Sequence, residues 1–103
     1  MINLNNYNLS EKLKNNISRF FDEEKTDRKG DKIFCTFAGH LVHQIANILE
    51  LESCRISYNG YYKDDKNMII LDYAEGDAYL KIFNTEAQYQ TELKETEEFY
   101  LNN

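Results

Sequence analysis

The sequence predicts an α+β fold with two N-terminal helices, a three-stranded antiparallel meander, and a C-terminal helix packed on one face of the sheet. Three observations lead there. Apolar residues recur at the helical period in "NLSEKLKNNISRFFDEE", from Asn8 to Glu24. Between Cys54 and Phe83 the pattern alternates and is broken by successive turn signals. From Thr85 to about Tyr100 the helical period returns. The 103 residues are expected to form a single domain, residues 1–103, because either half alone would have too little core.

In the first helix, Leu9, Leu13, Ile17, Phe20 and Phe21 form one stripe, and Asn8 with Glu11 suggests a capping box at its start. The stretch "EEKTDRKGDK" (Glu23–Lys32) has no apolar residue and contains Gly30, so it reads as a loop. "KIFCTF" alternates weakly; it is either a fourth short strand near residues 32–36 or the lead-in to the next helix. From Ala38 to Leu51 the helical period predicts a second helix, with Leu41, Ile45, Ile48 and Leu49 towards the core. "CRISYNGYY" is the first strand of the meander, and its Asn59-Gly60 dipeptide suits a hairpin turn or a bulge. "DDKN" and "EGD" are turns, and "MIILDY" and "AYLKIF" are the remaining strands. Thr85 with Gln88 caps the last helix, whose core stripe is Tyr89, Leu93, Thr96 and Tyr100.

Composition limits the function. Hydrophobic content of 42% and charged content of 29% suit a soluble globular domain. No apolar run approaches the ~20 residues of a bilayer span, and the start "MINLNNYNLSEK" lacks a basic-then-apolar leader, so a cytoplasmic protein without membrane contact is expected. The two cysteines are then free thiols. The net charge of −6 argues against direct nucleic-acid binding, which needs Lys and Arg to neutralise phosphates. Residues 84–103 carry one basic and five acidic groups, so the acidity is loaded towards the end.

Cys35, His40, His43 and Cys54 all fall between Phe34 and Cys54. A structural zinc site needs four such ligands to converge, and zinc cysteines usually come in close pairs. Here helical projection puts His40 and His43, with Asn47 and Glu50, opposite the core that the thiols are expected to join. No metal or other cofactor is predicted. Asp64, Asp65, Asn67 and Asp72 do not have the spacing of a calcium loop. There is no glycine-rich phosphate loop and no serine nucleophile motif, so no catalytic residue is assigned. The alternative is an enzyme or thiol sensor in which Cys35, at a helix N-terminus, is activated by His40.

Two surface features suggest binding. Tyr58, Tyr61, Tyr62, Tyr73 and Tyr79 lie in or beside strands and exceed what one core face needs; tyrosine gives large contact area at low entropic cost. On the last helix, Glu92 and Glu95 form an acidic band with Phe99 in the same sector. These eight residues are the predicted partner-binding set. The expected function is a small acidic, non-enzymatic inhibitor that binds a basic, nucleic-acid-handling protein. In size and charge the chain resembles anti-CRISPR and other anti-defence proteins of phages, and immunity proteins that neutralise nuclease toxins. No motif carries that resemblance, so no residue transfers from it. A homo-oligomer, or an accessory subunit of a larger assembly, is the further alternative.

Overall fold

Twice as many strands form as the meander requires. The computed structural model describes residues 2–56 and 59–102. In chain order the elements are α1 (Glu11–Phe20), β1 (Glu23–Thr26), β2 (Lys32–Phe37), a 3-10 turn (Gly39–Leu41), α2 (Val42–Ile48), β3 (Glu52–Ile56), β4 (Asn59–Asp64), β5 (Ile69–Ala74), β6 (Asp77–Ile82) and α3 (Glu86–Leu101). The six strands make one antiparallel sheet in the order β1-β2-β6-β5-β4-β3. The fold is therefore α+β with a six-stranded sheet and three helices, not a three-stranded meander behind two N-terminal helices.

Each correction has a physical cause. Glu23–Thr26, expected as loop, pairs with Lys32–Cys35 as an edge strand. All four of its side chains are exposed, so it buries nothing that could produce an alternating pattern; backbone pairing alone defines it. The Asp27 carboxylate closes the β1–β2 turn by accepting from the Lys29 and Asp31 N–H groups, both at 2.9 Å. β2 is a full six-residue strand because β6 pairs with its other edge. The second helix shrinks to seven residues, since Gly39 takes a left-handed φ of +56° and the chain enters through a 3-10 turn. The first helix is capped by Ser10, whose Oγ accepts from the Leu13 N–H at 3.1 Å, and not by Asn8.

The meander's turns follow local chemistry. Glu75 and Gly76, at φ +52° and +87°, make a two-residue turn of the kind whose twist matches a hairpin. The Asp64 carboxylate accepts from the Lys66 and Asn67 N–H groups and closes the β4–β5 turn. Asn59-Gly60 lies inside β4, with Asn59 paired to Ile56. Residues 57 and 58 between those partners are outside the described residues. Gly60 is needed for close approach: a Cβ there would sit 2.4 Å from the Cys54 carbonyl oxygen.

Helices cover both faces of the sheet, where one face was expected. Phe34, Leu80, Leu71 and Tyr62 form a cross-sheet row that packs with Ile17 and Phe21 from α1 and its end, and with Val42, Ile45, Ala46 and Leu49 from α2 and its end. On the opposite face α3 seats Tyr89, Leu93 and Tyr100 against Tyr61 and Ile70. Its start is as predicted: Thr85 Oγ1 accepts from the Gln88 N–H at 3.2 Å. Each large side chain buried this way contributes roughly 1.5–3 kcal/mol. Among the described residues, no helix is long and apolar enough to cross a membrane.

Candidate functional site

The acidic band on α3 is tied down within the molecule. Glu92 is only 8% exposed and accepts from Lys29 Nζ at 2.9 Å and Lys81 Nζ at 3.2 Å. Lys81 also reaches Asp27 at 3.6 Å, and Lys29 pairs with Glu95. Hydrogen bonds to Glu95 and Glu92 hold the Lys29 ammonium above its ordinary pKa. Asp27 is drawn below the carboxylate range: burial opposes its ionisation, but the Asp31 and Lys29 N–H groups and Lys81 outweigh it. The network clamps the β1–β2 turn onto α3, so Glu92 and Glu95 present less free charge than the sequence suggests.

The five tyrosines do not share one surface. Tyr58 lies outside the described residues. Tyr61 is buried and stacks on Tyr100 with centroids 5.6 Å apart, and burial is the main cause that pushes its phenol up to about 12. Tyr62 is buried on the α2 side, where its hydroxyl meets His43 Nδ1. Burial raises the Tyr62 phenol while the nearby charge of Arg55 works against it. Tyr73 is exposed on the same face as Tyr62. Tyr79 is half-buried on the other face, beside Cys35. Phe99 is exposed on α3, with its ring edge-on to Tyr100 at 5.4 Å.

Neither thiol meets a histidine. Cys35 is buried in the middle of β2, away from any helix N-terminus, in a cavity it shares with Asp22, Glu23, Lys25, Phe37 and Tyr79. Burial pushes the Cys35 thiol up, and the same cause raises Cys54 on β3. His40 and His43 line a different cavity, on the α2 side. Among the described residues, no three of His, Cys, Asp and Glu are placed to hold a metal ion.

A surface not foreseen from the sequence centres on Phe37, which is 79% exposed. Its ring lies against Gly76, where a Cβ would come within 2.9 Å. On one side Phe37 joins Phe20, Leu41 and Ile48 in an apolar groove of about 200 Å³. On the other it borders the acidic strip of Asp22, Glu23 and Asp77, with Lys25 among them. Leu41 and Ile48, expected in the core, are 45% and 42% exposed. The six apolar residues Leu41, Val42, Ile45, Ala46, Ile48 and Leu49 sweep roughly 160° of the helix, and one contact cannot cover such an arc. The sheet takes Val42, Ile45, Ala46 and Leu49, and the flank stays open. That width was the available sequence signal.

What these elements define is a helix–sheet–helix sandwich with an apolar groove running into an acidic strip. Comparison with protein-family models, with curated proteins and with solved structures gave no match to the chain.

Proposed function

We propose that the protein is a non-catalytic binding module that docks a basic protein partner on the surface centred at Phe37. The observation that carries this is the junction at Phe37 of an exposed apolar groove and a strip with three carboxylates and one lysine. An amphipathic segment suits both parts: its apolar side chains enter the groove of Phe37, Leu41 and Ile48, and its Lys and Arg residues meet Asp22 and Asp77, Glu23 being paired to Lys25 at 3.2 Å. The net charge of −6 speeds such an encounter, and desolvation of the aromatic anchor holds it. A nucleic-acid-handling protein offers the complementary basic surface, and docking there would obstruct phosphate binding. Tyr79 lines the acidic side and belongs to this surface.

The test places a photo-crosslinking amino acid at position 37 and, as comparison, at Gln90 on the exposed side of α3. The reading expects crosslinks from position 37 to a basic protein, weakened by added salt and lost in Leu41→Asp. Truncating Phe37 to alanine is expected to weaken binding by about 2 kcal/mol, roughly thirtyfold. Crosslinks confined to Gln90, or insensitive to salt, would refute it. So would light scattering showing that the surface is filled by a second copy of the chain.

A further inference from the structure

The sheet forks at one end. β4 and β5 pair at Tyr62–Leu71, Lys63–Ile70 and Asp64–Ile69, and no further towards that end. Yet β4 stays paired to β3 back to Asn59, and β5 stays paired to β6 as far as Ala74. Beyond Tyr62 and Leu71, β4 and β5 therefore follow different neighbours. A cavity of about 340 Å³ opens there, with the Gly60 backbone in its wall.

The lining of this cavity combines cationic and aromatic groups without a carboxylate. The whole chain has 18 acidic residues, and none of them lines it. Its ionisable nitrogen groups are His40, His43 and Arg55. Among the described residues no carboxylate lies within ion-pair distance of Arg55, so its guanidinium keeps its donors. When the Tyr62 hydroxyl donates to His43 Nδ1, the proton of the neutral ring sits on Nε2 and gives a further donor. Tyr62 and Tyr73 line the cavity on the α2 side, and Tyr61 and Tyr100 line it from the face that α3 covers.

From this lining we infer that the fork binds a free mononucleotide. Arg55, with the two imidazoles, recognises the phosphate, and a tyrosine face, foremost that of Tyr73, takes the base. Simpler ligands leave part of the site unused. An inorganic anion has no use for the aromatic wall, and a neutral ring has no use for the guanidinium. A cation is repelled by the guanidinium. The volume lies near the bottom of the range of about 300–1,000 Å³ for small-molecule sites, which suits one ring system with one anionic group. Guanidinium pairs with phosphate through two parallel hydrogen bonds, and aromatic side chains accept any base by stacking.

The chain's only two histidines both line the cavity, so their imidazole proton resonances report on it directly. The full-length protein is titrated with AMP and UMP, and separately with adenosine and inorganic phosphate. Both imidazole signals should shift saturably with either nucleotide, at a Kd of roughly 0.1–1 mM for so open a site. Arg55→Gln should weaken binding at least about tenfold, Tyr73→Leu severalfold, and Lys94→Gln on α3 not at all. Adenosine and phosphate alone should each bind at least about tenfold more weakly than AMP. Three results would overturn the inference: no imidazole shift with nucleotide, a shift equal in Arg55→Gln, or phosphate alone matching AMP. Circular dichroism of each variant shows that the fold is retained, and the exposed Tyr73 gives a second route should Arg55→Gln unfold.

Discussion

Glu92→Gln is nearly isosteric, so it tests the clamp beneath α3 without disturbing packing. Glu92 now faces two ammonium groups, at 2.9 and 3.2 Å. Hydrogen bonds to charged groups contribute about 1.5–3 kcal/mol each, and a neutral amide oxygen recovers roughly 1 kcal/mol. Lys81 retains Asp27 at 3.6 Å and Lys29 retains Glu95, so the loss stays below the ~3–5 kcal/mol of a fully buried broken pair. The expected cost is about 2 kcal/mol. Glu95 is 49% exposed, so Glu95→Gln should cost under about 1 kcal/mol. Urea unfolding followed by circular dichroism measures both. A 2 kcal/mol loss lowers the midpoint by roughly 1–2 M when m is about 1–2 kcal/mol/M. High salt should erase the Glu95 effect and leave most of the Glu92 effect. Equal costs for the two variants, or no cost for Glu92→Gln, would show that the clamp does not hold the β1–β2 turn as described.

Two further expectations follow from backbone and burial. Gly76→Ala should destabilise by about 1–2 kcal/mol because of its φ of +87°, and adding Phe37→Ala should recover only the steric part. Gly60→Ala, which sets a Cβ against backbone and not a side chain, should cost about 2–3 kcal/mol; thermal unfolding measures both. Burial raises the Asp72 carboxyl although Tyr100 donates to it at 2.8 Å. An acid whose folded pKa lies above its unfolded value favours folding while protonated, and that advantage is lost as pH rises through the folded pKa. Asp72→Asn, which can still accept from Tyr100, should therefore be more stable than the native chain at pH 7, with the gap closing towards about pH 3. A gap that does not change with pH would contradict the burial of that carboxylate.

The sequence revealed what local chemistry controls. Thr85 with Gln88 placed the start of α3, and the turns at Asp64 and Gly76 placed most of the meander. It concealed what depends on distant partners. β1 has no apolar residue to betray it and exists through pairing with β2, which in turn needs β6. Burial on both faces did leave a trace: Ile69, Ile70 and Leu71 are consecutive and all buried, which a sheet open on one side would not require. Glu92 falls in the buried stripe with Tyr89 and Thr96, but only Lys81 on β6 and Lys29 in the β1–β2 turn make its burial tolerable. Of the aromatics expected to face a partner, Tyr73 and Phe99 are exposed and Tyr79 is half-buried; Phe37 was not legible, because its exposure depends on which distant elements pack beside β2.

The strand order has a consequence for how the protein is made. Among the described strands β6 is synthesised after the other five, yet it lies between β5 and β2. On the ribosome, Phe34 must wait for Leu80 before its edge of the sheet can close, so the first third of the chain emerges with no surface to settle on. The β3–β6 meander can assemble from neighbouring segments, while β1 and β2 join only afterwards. Closure of the sheet during translation is thus deferred until β6 has emerged, and a ribosome stalled before Ile82 would hold β1 and β2 with Phe34 still in water.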